Sequence, residues 1–131
     1  MIGTTKYMAP ELYEGDDEDP YEYTVAVDSW STGCLLYRIL NGKDLFKNPA
    51  QVMAYQYKKR PSIRDGLKSC SEDTIGFLEQ LIEPGEQLRT LPEKALEHLW
   101  LTKHLGNRTI TPKLVKHCLM VREAGLAPRL L

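Results

Sequence analysis

The sequence lacks an excess of charge of either sign. Its 131 residues carry 17 basic and 18 acidic side chains, so there is no global field that would attract nucleic acid or a membrane surface. A chain of this length can bury one modest core. The composition therefore predicts a single globular domain with neither a nucleic-acid partner nor a membrane partner.

Cysteines are few and form no recognisable framework. The three of them, Cys34, Cys70 and Cys118, are far apart and include no C-x-x-C pair. This pattern suits a reducing compartment and argues against a disulfide framework or a zinc site. We expect the three side chains to act as small, buried or half-buried hydrophobes.

The first residues do not show the pattern of a leader segment, and the sequence contains no long apolar run. Residues 1–4 contain neither a basic region nor an apolar one. No later run approaches the roughly 20 apolar residues that a membrane span requires. We therefore expect a soluble protein inside the cell, in the cytoplasm or the nucleus.

The most apolar stretch is residues 28–42, which predicts a buried central helix of about four turns. Apolar side chains cover most of its circumference: Trp30, Cys34, Leu35, Leu36, Tyr37, Ile39 and Leu40. Gly42 can close the last turn in a left-handed conformation. Asp28 lies in the first turn, where the helix dipole alone favours an acid.

Two further helices follow from periodic apolar residues. Over residues 49–58, Val52, Met53 and Tyr57 recur at helical spacing. The basic residues at 58–60 suit a helix C-terminus, with a phosphate-binding patch as the alternative. After Ser71, a good N-cap residue, the apolar stripe predicts a helix that stops before Pro84: Ile75, Leu78, Leu81 and Ile82.

A capping box predicts the next helix. Thr90 and Glu93 form a T-x-x-E pattern in which each side chain accepts a backbone N–H. The helix that it opens is expected to continue without a break through Ala95, Leu96, Leu99 and Trp100.

Earlier in the chain, seven acidic residues between positions 11 and 22 indicate a solvated loop rather than a metal site.

From residue 102 onward the sequence is basic, with six Lys or Arg residues against the single acid Glu123. Residues 111–124 show a helical period that ends at Gly125, with Leu114, Val115, Cys118 and Leu119 on one stripe. Two roles stay open for this tail. It either packs on the domain with a solvated basic face, or it serves as a regulatory or docking tail.

Three motifs in order resemble the carboxyl-terminal lobe of eukaryotic protein kinases of the serine/threonine type. They are G-T-x-x-Y-M-A-P-E from Gly3 to Glu11, D-x-W-S-x-G from Asp28 to Gly33, and a closing pattern from Glu83 to Leu101. The resemblance implies a mainly α fold, the helical carboxyl-terminal lobe with no amino-terminal β lobe. It also implies a partial kinase domain at residues 1–101 and a basic helical tail at 102–131.

The resemblance implies roles for individual residues. Thr4, Thr5 and Met8 would bind the protein substrate, although the family usually has proline at the position of Thr5. Asp28 and Trp30 would anchor the central helix, with Asp28 accepting N–H groups of a catalytic loop. Phe46 would be a core anchor. Arg38 stands where several relatives carry an acid, which argues against an arginine-directed enzyme.

Glu11 and Arg89 match a structural ion pair of the family. Breaking such a buried pair by removing one partner costs roughly 3–5 kcal/mol. The alternative is that they are two unrelated surface charges.

The sequence contains none of the motifs that bind ATP or transfer phosphate: no G-x-G-x-x-G, V-A-I-K, H-R-D or D-F-G. The resemblance assigns ATP and magnesium to a complete enzyme, so we predict no catalytic, cofactor-binding or metal-binding residue here. The expected function is a serine/threonine kinase fragment, a truncated product or an incomplete gene model. The alternatives are a non-catalytic, kinase-like interaction or docking protein and a small helical protein with an accidental resemblance.

A last expectation concerns the surface of the central helix. In the family, a preceding helix and the catalytic loop cover part of it. We therefore expect an exposed apolar strip in this chain, with self-association unless residues 111–124 fold over it.

Overall fold

The computed structural model describes residues 5–13, 24–58 and 61–105. These ranges contain six α-helices: α1 (Ala26–Asn41), α2 (Pro49–Lys58), α3 (Ile63–Gly66), α4 (Glu72–Leu81), α5 (Pro92–Ala95) and α6 (Leu99–Leu105). Short 3₁₀ turns occupy Thr5–Tyr7, Pro10–Tyr13 and Glu86–Leu88. No strand occurs within the described ranges. The predicted mainly α class is confirmed.

The central helix α1 begins two residues earlier than predicted, and its predicted end is confirmed. Gly42 adopts a left-handed conformation with φ 76°, and its N–H donates to the carbonyl of Arg38 at 2.8 Å. At the start, the hydroxyl of Thr24 accepts the N–H of Ala26 at 3.2 Å. This side-chain contact holds the first turn, and nothing in the apolar pattern from residue 28 onward indicates it.

Only one side of α1 is buried by the described residues. Trp30, Cys34 and Tyr37 face the core, whereas the exposed fractions of Leu35 and Ile39 are 51% and 70%. The prediction of a helix buried on all sides is therefore wrong for the described structure. The exposed apolar strip that the resemblance implied is present.

Three aromatic rings form the centre of the core. Trp30 of α1 stacks on Phe46, with ring centroids 5.5 Å apart, and Tyr55 of α2 packs edge-on against both rings. Phe46 is buried, so its prediction as a core anchor is confirmed. These contacts fix α2 against α1.

The predicted core stripe of α2 is wrong at Tyr57. This side chain is 80% exposed, and Tyr55 is buried beside Val52 instead. Val52 and Tyr55 are three residues apart and share a helix face, whereas Tyr57 is five residues from Val52 and is rotated by about 140° from it.

Helix α4 follows its prediction closely. The hydroxyl of Ser71 accepts the N–H of Thr74 at 3.3 Å, which confirms the N-cap. The whole predicted stripe is buried: Ile75, Leu78, Leu81 and Ile82.

The predicted capping box at Thr90 is wrong. The N-cap residue of α5 is Leu91, which makes no side-chain capping hydrogen bond, and the Thr90 hydroxyl donates to the side-chain carbonyl of Gln80 at 3.3 Å. Proline is favoured at the first helical position because its φ is already helical. Because Pro92 is its first residue, α5 begins one residue later than the predicted capping box requires.

The predicted continuous helix after residue 92 is also wrong, because α5 ends at Ala95 and α6 begins at Leu99. Nδ1 of His98 accepts the N–H of Trp100 at 3.1 Å, so a side chain initiates the second helix. Helix α6 runs across the domain boundary predicted at residue 101. Of the predicted acidic loop, residues 14–22 lie outside the described residues, whereas Glu11 is described and is buried rather than solvated. Lys59, Arg60 and the predicted helix at 111–124 also lie outside the described residues.

Candidate functional site

Residues 5–13 lie against α1 and carry two of the predicted substrate-binding residues. We call residues 5–13 the seating segment. The hydroxyl of Ser31 in α1 donates to the carbonyl of Tyr7 at 2.9 Å. The hydroxyl of Tyr13 donates to the carbonyl of Thr5, and the N–H of Met8 donates to the same carbonyl at 3.2 Å. The backbone of the segment is therefore held both to itself and to α1.

Asp44, in the loop after α1, joins the seating segment to the end of α1. Its carboxylate accepts hydrogen bonds from Lys6, from the hydroxyl of Tyr7 at 2.7 Å and from Arg38 at 2.7 Å. Hydrogen bonding from Lys6 first, and then from Tyr7 and Arg38, lowers the pKa of Asp44 to about 2, against the opposing effect of burial. The negative charge of Asp44 is thus compensated by two cations.

No sequence pattern indicated a role for Asp44. Two of its partners are 37 and 38 residues away in the chain, and no local pattern relates positions so far apart. The only available signal was the neighbouring Phe46, which placed this loop near the core.

Glu11 and Arg89 meet in the interior as a bidentate ion pair. Arg89 donates to the two carboxylate oxygens of Glu11 at 2.6 and 3.0 Å. The Arg89 side chain is 0% exposed and that of Glu11 is 9% exposed. Planar guanidinium and carboxylate groups match in this geometry, which a lysine ammonium cannot reproduce.

The remaining donors of Arg89 reach three backbone carbonyls. Its guanidinium donates to Glu83 at 2.7 Å, to Ala26 at 3.1 Å and to Pro84 at 3.2 Å. It also lies over the ring of Trp30, with 5.1 Å between the guanidinium carbon and the ring centroid. One side chain therefore ties the seating segment, the start of α1 and the loop after α4 together.

The other predicted site residues lie in different parts of the structure. Thr4 lies outside the described residues, and Thr5 and Met8 are half-buried in the seating segment. Trp30 is fully buried in α1, whereas Asp28 is exposed in its first turn.

An apolar groove lies between α1, α4, α5 and α6, and the exposed strip predicted on α1 forms one of its walls. The groove encloses about 390 Å³. Its walls are Leu35, Leu36 and Ile39 of α1, Phe77 and Leu81 of α4, and Leu96, Trp100 and Leu101 from the carboxyl-terminal part. No charged side chain lines the groove in the described part of the chain, so it is suited to apolar groups rather than to phosphates.

The described residues do not fit a metal site. No group of three or more His, Cys, Asp or Glu side chains in residues 5–13, 24–58 and 61–105 could hold an ion. Magnesium, which the resemblance assigns to a complete enzyme, therefore has no ligand group of this kind within the described ranges. Cys34 and Cys70 form no disulfide, and burial raises the pKa of the Cys34 thiol to about 12.

No helix in the described ranges combines the length and the apolarity needed to cross a bilayer.

Comparison with protein families gives a match over most of the chain. A family profile described as "Protein kinase domain" matches residues 1–101. Serine/threonine-protein kinase RAD53 of Saccharomyces cerevisiae is 36% identical over 112 residues, which are 77% of this chain and 14% of that protein. The Aurora kinase of Encephalitozoon cuniculi is 31% identical over 109 residues, which are 81% of this chain and 38% of that protein.

Solved structures of protein kinases also resemble this chain. Titin kinase with its flanking domains superposes with a TM-score of 0.62 at 25% identity, covering 77% of this chain and 18% of that one. The Rad53 kinase domain with SCD2, in complex with AMPPNP, gives a TM-score of 0.56 at 31% identity, covering 75% of this chain and 39% of that one. The chain therefore spans well under half the length of these proteins, and its helices match the helical carboxyl-terminal lobe of the kinase fold.

Proposed function

We propose that this chain, which belongs to the protein kinase domain family, forms the substrate-seating and scaffold part of a serine/threonine protein kinase. The complete enzyme would transfer phosphate from ATP to serine or threonine of a protein substrate. The observation that carries the proposal is the buried Arg89–Glu11 pair, because it fixes the seating segment to the rest of the lobe. Serine/threonine kinases among the relatives support the same class.

The proposed role of this part is positioning. In phosphoryl transfer the protein contributes mainly by positioning and by electrostatic stabilisation. We assign Thr5 and Met8 to the residue that follows the phosphoacceptor in the substrate, and Thr4 to the contact with the catalytic aspartate of a complete enzyme. The seating segment is suited to this role because its backbone is held at Thr5, Tyr7 and Met8.

The charges beside the seating segment argue against an arginine-directed enzyme. Arg38 and Lys6 both pair with Asp44, which leaves one positive charge in excess in this cluster. A substrate arginine would meet no uncompensated acid there. We therefore propose that substrates with arginine at this point are disfavoured.

The isolated chain is proposed to be inactive, because its sequence holds none of the motifs for ATP and catalysis. Phosphate transfer from ATP to a generic protein substrate should not exceed that of an Asp28→Ala variant, after copurifying kinases have been removed. Transfer above that control would refute the proposal of inactivity.

A chimaera tests whether the seating segment works in an enzyme. Residues 1–101 would replace the matching part of the kinase domain of yeast RAD53, which is 36% identical. We expect the chimaera to phosphorylate serine and threonine but not tyrosine, and Thr4→Ala to lower kcat. Arg89→Leu should abolish activity, whereas Lys94→Leu, a change in an exposed side chain, should leave it intact.

The alternative function is a non-catalytic docking protein, which is favoured by the exposed apolar groove. A chimaera that folds and binds ATP but transfers no phosphate would favour this alternative. So would an endogenous product whose native mass corresponds to 131 residues. An endogenous product that also carries the glycine loop, H-R-D and D-F-G would favour the kinase.

A further inference from the structure

Arg38 of α1 has hydrogen-bond donors that its neighbours do not use. Both of its hydrogen bonds come from one nitrogen, because Nη1 donates to Asp44 at 2.7 Å and to the hydroxyl of Tyr7 at 3.1 Å. Its Nε and Nη2 groups donate to no residue within the described ranges. These two groups lie side by side in the guanidinium plane, and a carboxylate can accept from both of them at once.

Arg64 of α3 shows this arrangement elsewhere in the same molecule. Its Nε and Nη2 donate to the two carboxylate oxygens of Glu79 at 2.9 and 3.1 Å, and its Nη1 donates to Glu72 at 2.9 Å. The side chains of Arg64 and Arg38 are almost equally exposed, at 51% and 50%. Two carboxylates therefore serve Arg64, whereas Arg38 has one and shares it with Lys6.

The charges around Arg38 favour a second acid. Within the described part of the chain, Asp44 is the only acid that accepts a hydrogen bond from Lys6 or from Arg38. Two positive charges thus share one negative charge. A further carboxylate would be attracted to this cluster, whereas the cation of a lysine or arginine would be repelled by it.

The cluster lies beside the part of the seating segment that we assign to the substrate. Tyr7, whose hydroxyl accepts from Arg38, stands between Thr5 and Met8 in the chain. The carbonyl of Tyr7 accepts the hydroxyl of Ser31, so the backbone is fixed to α1 at this residue. A substrate seated on Thr5 and Met8 would therefore lie next to the residue that Arg38 contacts.

We propose that Arg38 selects protein substrates that carry an aspartate or a glutamate close to the phosphorylated serine or threonine. The substrate carboxylate accepts hydrogen bonds from Nε and Nη2 of Arg38, and Lys6 adds to the attraction. This inference rests on the proposed function, since it names the substrate class of the seating segment. It goes beyond the exclusion of arginine-directed substrates, because it assigns a specific partner to a specific pair of donors.

Peptide phosphorylation by the chimaera described above tests this selection in an enzyme. A serine peptide with alanine on both sides is compared with peptides in which glutamate or lysine replaces one flanking alanine at a time. We expect glutamate at one position to raise kcat/KM about two- to fivefold, the ratio that one partly exposed ion pair supports. Lysine at that position should lower kcat/KM, and Arg38→Gln should remove both effects.

Two further variants separate selection from a merely structural role of Arg38. Arg38→Glu should reverse the preference from glutamate to lysine, which a structural role would not do. Arg64→Gln is the matched control and should keep the preference, because Arg64 is equally exposed but pairs with Glu72 and Glu79. Equal kcat/KM for the glutamate, alanine and lysine peptides at every position would overturn the inference and leave the kinase function in place.

Peptide binding to the full 131-residue chain separates the inference from the proposed function. Fluorescence anisotropy of labelled glutamate and lysine peptides gives Kd without any phosphate transfer. Tighter binding of the glutamate peptide, lost in Arg38→Gln and kept in Arg64→Gln, supports the selection even if the chimaera is inactive. An inactive chimaera would then refute the kinase function alone. An inactive chimaera together with equal binding of the two peptides would overturn both.

Discussion

Gly33 of α1 lies directly against Ile82, the residue that follows α4. A Cβ carbon added at Gly33 would be 2.6 Å from Cγ1 of Ile82 and 2.9 Å from Cβ of Leu81. These distances are shorter than real Cβ contacts allow. The absence of a side chain at Gly33 is therefore what lets α1 and α4 approach closely enough to bury the stripe of α4.

We expect Gly33→Ala to destabilise the fold by roughly 1–3 kcal/mol, as overpacking does in a close-packed core. Gly76 is the matched control. It lies inside α4, and an added Cβ there meets nothing within 4 Å. Gly76→Ala should therefore stabilise the fold by up to about 1 kcal/mol through helix propensity. Urea melts of both variants measure the two changes in the free energy of unfolding. Equal changes of the same sign would contradict the close approach of α1 and α4.

Glu11→Gln and Arg89→Leu should each destabilise the fold, and their effects should not add. Removing one partner of a buried pair costs roughly 3–5 kcal/mol, and direct neighbours show coupling of about 0.5–3 kcal/mol. Arg89→Leu should cost more, because it also leaves the carbonyls of Ala26, Glu83 and Pro84 without this donor. Denaturant melts of the two single variants and the double variant measure the coupling.

The exposed pair Lys94–Glu97 is the control for this cycle, since its side chains are more than 70% exposed. Its coupling should stay below about 0.5 kcal/mol. Additive effects at Glu11 and Arg89 would show that the buried pair is not formed in solution.

Ser71→Ala should cost about 1 kcal/mol, the usual cost of losing an N-cap side chain. Thr90→Ala should cost less, because the Thr90 hydroxyl bonds to Gln80 and caps no helix. Thermal melts of the two variants compare them directly. A larger loss of stability in Thr90→Ala than in Ser71→Ala would support the capping box that the sequence predicted.

Cys34 should resist alkylation in the folded protein, whereas Cys70 should react. Cys34 is buried, and burial raises the pKa of its thiol to about 12, so the reactive thiolate is scarce at neutral pH. Cys70 is half-buried. Mass spectrometry after iodoacetamide treatment, with and without denaturant, measures both sites. Rapid labelling of Cys34 without denaturant would show that the core around Trp30 opens.

The ion cluster at Asp44 should make the free energy of unfolding fall as the pH is lowered. The pKa of Asp44 is lowered from 3.8 to about 2 in the fold. The ionised carboxylate therefore stabilises the folded state above about pH 4, and this contribution is lost as the pH falls through about 2. Urea melts between pH 2 and 6 should show a smaller pH dependence for Asp44→Asn than for the unaltered chain. Glu97→Gln, in the exposed pair, should keep the original slope.

Local patterns predicted those elements whose causes lie within a few residues. Ser71 caps α4 through a residue three positions away, and Gly42 closes α1 through Arg38. The periodic stripe of α4 likewise identified its buried face. The family motifs added the assignment to kinases, which the comparisons confirm.

The errors came where a side chain found a distant or competing partner. Thr90 was predicted to cap the helix that follows it, but its hydroxyl donates a hydrogen bond to the side chain of Gln80 instead. Tyr57 satisfied an apolar pattern, but the position of Phe46 and Trp30 brings Tyr55 into the core instead. Periodicity shows which residues share a helix face, and only packing shows which face is covered.

The sequence by itself determined the helical class, the central position of α1 and the polypeptide segments that carry the candidate site. The family motifs predicted that Arg89 pairs with Glu11, but tertiary structure alone decided that this buried pair is bidentate and that Arg89 also reaches three backbone carbonyls. It alone decided that Asp44 joins Lys6 to Arg38 and that the exposed strip of α1 forms one wall of a groove. The physical reason is sequence separation. Capping and helical periodicity act between near neighbours, whereas these contacts connect residues up to 78 positions apart and exist only once α1 and α4 have packed together.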